Sequence, residues 1–105
     1  MKYYYYLCIV IIKQVHIMRI FNFNLPSDCF LLYAGMYTSS SDEDFRFHVC
    51  WNVLSQKILL YVDVPGSIEP VRHIIAFVHN PCDFNRLDLI DNILQTKYNA
   101  IAIYW

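Results

Sequence analysis

Val71-Arg-His-Ile-Ile-Ala-Phe-Val-His79, Asn80-Pro-Cys-Asp83, Phe84 to Tyr98 and Ala100-Ile-Ala-Ile-Tyr-Trp105 form a series in which every local signal agrees. The first run is β-branched and apolar without alternation, the pattern of a strand covered on both faces. Asn-Pro breaks it, and Asp83 offers a side-chain oxygen to cap a helix. Phe84, Leu87, Ile90, Ile93/Leu94 and Tyr98 then recur at helical spacing on one face, while Asp88, Asp91, Asn92 and Gln95 point away. Asn80 to Asn99 supplies 20 residues between the two strands, enough for a right-handed parallel crossover. The chain stops on Trp105 with no charged tail after the strand.

Working outward, Phe45, Phe47, Val49, Trp51 and Val53 alternate strictly with Arg46, His48, Cys50, Asn52 and Leu54. That period of two places five large apolar groups on one face of a strand. Leu54-Ser-Gln-Lys57 turns the chain, and Ile58, Leu60, Val62 and Val64 make the facing alternation, predicting an antiparallel pair. Pro65-Gly-Ser67 ends the second strand. Cys29 to Tyr37 reads as another strand after the turn Leu25-Pro-Ser-Asp28, and Thr38-Ser-Ser-Ser-Asp-Glu-Asp44 reads as an exposed loop. Residues 3–12 and 15–23 favour strands by propensity. The expectation is one mixed α/β (α+β) domain over 1–105, with about six strands in a mixed sheet and a C-terminal strand–helix–strand unit.

Composition limits function. Of 105 residues, 57% are apolar and 16% charged, and the formal net charge is −1. A domain of this size buries only ~65% of its unfolded surface, so low charge predicts exposed apolar patches and a partner, itself or another subunit. Nine tyrosines, polar at their tips, are the competing way to cover that surface. No Lys/Arg cluster exists, which argues against nucleic acid.

Cysteines 8, 29, 50 and 82 have no paired-knuckle spacing and no Asn-x-Ser/Thr acceptor accompanies them, so reduced thiols in the cytoplasm are expected. Met1-Lys2 followed by apolar Tyr3–Ile12 is too short to span a bilayer, which takes ~20 residues. It also lacks a small-residue cleavage pattern, because Lys13-Gln-Val-His16 follows. Residues 1–17 are therefore open to three readings: a peripheral strand, a signal-like segment over 1–16 implying secretion, or an extension upstream of a start at Met18.

Chemistry has few places to sit. His48 and Cys50 share one strand face, ~7 Å apart by strand rise. His79 and Cys82 have H-x-x-C spacing at a strand's C-terminal end, where open α/β sheets place ligands. Together these four would give two imidazoles and two thiolates for tetrahedral zinc, the one cofactor with any candidate ligands. The simpler reading is a solvated histidine and ordinary buried cysteines, which pack as small hydrophobes. Cys82 before a helix start, with His79 nearby, is a conceivable nucleophile, but Asp83 repels a thiolate and no Gly-rich oxyanion turn follows. Asp63 precedes Val64-Pro-Gly without an identifiable partner. Ser39–Ser41 ahead of the acidic loop fits a generic acid-directed kinase acceptor.

Residues 73–103, from His-Ile-Ile-Ala-Phe-Val-His-Asn through Ile93-Leu-Gln-Thr-Lys-Tyr-Asn-Ala-Ile-Ala-Ile103, resemble the opening strand–helix–strand of family-2 glycosyltransferases. The resemblance covers under a third of the chain. It departs from the family after Ile103, where an acidic pair contacting the nucleotide sugar should follow, and it lacks an Asp-x-Asp metal element. It implies a shared supersecondary unit or a catalytically inactive fragment. The sequence thus predicts a non-enzymatic interaction module whose partner surface is the strand Ala100, Ile101, Ile103, Tyr104 and Trp105. The alternative is an enzyme, or a remnant of one, with a pocket near His79–Asp83.

Overall fold

The computed structural model describes residues 25–105. The strands expected at 3–12 and 15–23, and all three readings of residues 1–17, lie outside the described residues. Strands β1 (Cys29–Ser39), β2 (Asp44–Asn52), β3 (Lys57–Val62) and β4 (Val71–Phe77) are followed by a 3-10 turn at Pro81–Asp83. Helix α1 (Leu87–Tyr98) and strand β5 (Ala100–Tyr104) complete the order. The α+β class holds, but the described sheet has five strands in the order β4-β3-β2-β1-β5, and every pairing in it is antiparallel.

The strand pair read from period-two alternation forms as expected. β2 and β3 pair from Phe47 opposite Val62 to Asn52 opposite Lys57. The reversal at 53–56 is secured by Asn52, whose Oδ1 accepts from the Ser55 N–H at 2.9 Å and hydroxyl at 3.0 Å. Gln56 takes the left-handed conformation, φ 56°, that closes the turn.

The parallel crossover does not form. β4 pairs with β3 and β5 pairs with β1, so the two strands flanking α1 occupy opposite edges of the sheet. β4 is accordingly an exposed edge rather than a strand covered on both faces. Its missing alternation has a different cause. A register shift opposite Ile58/Leu59 adds a residue to β4, and Ile75 and Ala76 both pack toward the core.

Two other boundaries move. α1 starts at Leu87, not Phe84, because Asn80 uses its side chain on the Cys82 N–H (3.0 Å) to build the 3-10 turn, and Phe84 leaves it extended. Asp83 therefore caps nothing, and Arg86 holds the N-cap position without a side-chain bond. The expected loop 38–44 is a tight hairpin: Thr38 pairs with Asp44, Asp42 turns with φ 62°, and Ser39 is buried. At the other end Asn99 takes φ 54°, ends α1 and leads directly into β5.

One sheet face carries the main core. Leu32, Tyr37, Phe47, Val49, Ile58, Leu60 and Val62 meet Phe84, Ile90 and Leu94 from the turn and helix. Ile90 and Leu94 are fully buried, each contributing about 2–3 kcal/mol of apolar transfer. Gly35 sits at the crossing of β1, β2 and β5. A Cβ there would overlap the Tyr104 carbonyl oxygen and lie 2.5 Å from Cζ of Phe47, so only glycine lets the ring and the edge strand close up. Gly35→Ala should lower stability in urea unfolding by about 1–3 kcal/mol. Gly66→Ala, in open space at φ 78°, should cost only about 1 kcal/mol through backbone strain. A Gly35→Ala variant as stable as its parent would contradict this packing.

Candidate functional site

Three places were singled out by sequence: the His48/Cys50 face, the His79–Asp83 loop and the β5 edge. The first is not a polar face. Register puts His48 opposite Ala34 and Tyr61, and Cys50 opposite Leu31 and Leu59. Here Cys29, Leu31, Cys50 and Leu59 form a second apolar cluster, with Leu25 and Tyr61 packed against it. His48 is 1% exposed, so the reading of a solvated histidine does not hold for it. Burial, then the charge of Arg46, pushes its imidazole down to about 4, and it is neutral at physiological pH. The Cys50 thiol is pushed far up, first by burial and then by Cys29, so it is neither nucleophile nor ready metal ligand.

The His79–Asp83 loop lies elsewhere, beyond the end of β4. His79 and Asp83 are exposed and Cys82 half-buried. Asn80 organises the loop through the Cys82 N–H, and Asp83 N–H donates back to the Asn80 carbonyl at 2.9 Å. The Val78 carbonyl receives the Trp51 indole N–H at 3.1 Å, pinning the loop to the core. His48 and Cys50 share one buried face, His79 and Cys82 share one loop, and the two pairs are not brought together. Among the described residues, no group of three His, Cys, Asp or Glu side chains is placed to hold a metal ion.

Sequence spacing did not reveal the polar cluster under the C-terminal end of α1. His73 Nε2 and the Tyr98 hydroxyl are hydrogen-bonded, Tyr98 lies against Tyr37, and the Tyr37 hydroxyl donates to the Asp63 carbonyl at 3.3 Å. These residues lie on four different elements and loops, so no local motif could have pointed to them. Burial, then Tyr98 and Asp63, pushes the Tyr37 phenol up to about 12, and burial followed by Lys97 lowers the His73 imidazole. A phenol so raised is a poor acid, and the cluster serves to satisfy buried polar atoms.

The β5 edge divides by face. Ala100 and Ile103 pack into the main core, while Ile101 and Tyr104 are 64% and 59% exposed. Trp105 folds back: its ring meets Phe47 at 4.9 Å and Tyr33 at 5.9 Å, and its indole N–H donates to Asp91 at 3.3 Å. No described helix is long and apolar enough to cross a membrane.

No family model matches the chain, and no curated protein or solved structure matches it. The likeness of residues 73–103 to a glycosyltransferase opening is limited to the order of elements, since the two strands stand at opposite edges of the sheet.

Buried His48 makes stability pH-dependent in a defined direction. The unfolded chain binds a proton at this residue near 6.5, whereas the folded chain binds it near 4. Between those values the unfolded state holds more protons, so stability falls as pH drops, by about 3 kcal/mol over the window. Asp63, raised by burial and partly restored by Arg46, acts in the opposite sense. Urea midpoints between pH 7 and 4 should decline, and His48→Gln should flatten the decline. An unchanged slope in that variant would show that another group is responsible.

Proposed function

We propose that the protein is a non-enzymatic assembly module that pairs through the outer edge of β5, most simply with a second copy of itself. The observation that carries this reading is the chemistry of that edge. Ala100-Ile-Ala-Ile-Tyr104 has no charged residue, and among the described residues β1 is its only strand neighbour. An unpaired edge presents a row of backbone donors and acceptors, and proteins that stay monomeric guard such edges with charge or bulges. β4, at the opposite edge, has both guards: Arg72 within it, a register shift, and Lys57 standing 5.7 Å over the exposed Phe77 ring. β5 has a register shift beside Ser39 but no charge.

Antiparallel pairing of two β5 strands about a two-fold axis would extend the sheet and cover Ile101 and Tyr104 from both copies. A five-residue edge buries little area, so association should fall in the weak class of interfaces below ~1,200 Å². Size exclusion with light scattering across low to high micromolar concentration should show a reversible dimer. Ile101→Lys, at a position 64% exposed, should abolish it while changing unfolding stability by less than about 0.5 kcal/mol. A parent chain that stays monomeric at high micromolar concentration would overturn this reading.

A further inference from the structure

We propose that Ser40 is a phosphorylation site for an acid-directed serine kinase, and that its phosphate loosens the junction of α1 with β5. Thr38, Ser39, Ser40 and Ser41 bring their hydroxyls to the tip of the β1–β2 hairpin, and their environments differ. The Thr38 hydroxyl donates to the Asp44 carboxylate at 2.8 Å. Ser39 is 8% exposed, and its hydroxyl is hydrogen-bonded to that of Ser41 at 2.8 Å. Ser40 is exposed, and among the described residues its hydroxyl has no hydrogen-bond partner. It is the hydroxyl of this run that is both accessible and uncommitted.

Every residue from Ser40 to Asp44 is exposed, so the acceptor and the carboxylates that follow it reach solvent together. Asp42 and Glu43, two and three residues beyond Ser40, form no ion pair among the described residues. A kinase with a basic substrate groove recognises such unpaired acids by charge complementarity. In the transfer, Ser40 Oγ bonds to the γ-phosphorus of ATP as the bond to ADP breaks, and the hydroxyl proton passes to the kinase's catalytic aspartate.

The product carries a charge of about −2 at this position. Ser40 N–H donates to the Asn99 carbonyl at 3.0 Å and Ser39 pairs with Ala100, so the phosphate stands where α1 ends and β5 begins. A helix C-terminus is the negative end of its dipole, and Asp42 and Glu43 add like charge from the hairpin. Against them stand Lys97, in the last turn of α1, and Arg46, whose charge already acts on Asp63 and His48. Like charge dominates, so the modification weakens the Ser40–Asn99 bond and the strand pair beside it. Neither the acceptor nor this effect depends on what pairs with the outer edge of β5.

The test incubates the full chain with ATP and a purified acid-directed serine kinase, with an acidic serine peptide as control substrate, and locates phosphate by fragment mass spectrometry. The expected product carries phosphate on Ser40, is absent from Ser40→Ala and persists in Ser41→Ala. An unmodified chain beside a modified control peptide, or phosphate only on Ser39 or Ser41, would overturn the site. Native-state hydrogen exchange of the purified phosphoprotein reads the second part. The Ser40 amide should lose about fivefold in protection relative to the unmodified chain, with the β3 amides unchanged. Unchanged or greater protection at Ser40 would overturn the loosening and show that a cation holds the phosphate. An equal loss across β3 would overturn it too, by showing that the whole fold is weakened.

Discussion

Phe47 and Val49 press toward α1 while His48 and Cys50, at the alternate positions of the same strand, are just as completely buried beneath the opposite face. Over Phe47–Cys50 β2 thus has no wet side, although Asp44 and Arg46 before that stretch are exposed, and its ladder bonds run to β1 on one hand and β3 on the other. The rest of the fold follows from satisfying that strand. Gly35 lets Phe47 close against β1 and β5, Trp105 returns to cover the Phe47 ring, and α1 delivers Ile90 and Leu94 to the same side. A domain of this size rarely has core enough to spare, so a strand buried on both faces concentrates stability where burial is densest.

Much of this was legible. The β2–β3 hairpin followed from strict alternation, and the end of α1 with its step into β5 followed from Tyr98-Asn99-Ala100. Other features were hidden for physical reasons. Alternation marks which residues share a face, but not that the second face is buried too; His48 looked polar by type while its neighbours Ala34 and Tyr61 are brought in by other strands. Sheet order depends on which edge the returning strand reaches, and a 20-residue connection allows either. In β4 a single added residue erased the period that would have marked it as an edge. The close approach at Gly35 is set by three strands at once and leaves no local trace.

The candidate chemistry separates along the same lines. Residues that looked reactive together are divided between a buried face and an exposed loop, and burial removes the reactivity of the most enclosed of them. Where the structure has hydrogen-bonded side chains in a cluster, as with His73 and Tyr98, the bonds satisfy polar groups under the helix end. Large apolar side chains exposed in groups are found instead at the sheet edges, Val71, Ile74 and Phe77 on β4 and Ile101 and Tyr104 on β5. Of these edges the uncharged one is the better template for another strand.

Native-state hydrogen exchange of the β2 amides tests the central claim most directly. If two-sided burial of β2 holds the fold together, the amides of Phe47, His48, Val49 and Cys50 should exchange only through global unfolding, with protection equal to the full unfolding free energy, while β4 amides open far more readily. Exchange of those β2 amides through smaller local openings, at rates like those of β4, would contradict the account.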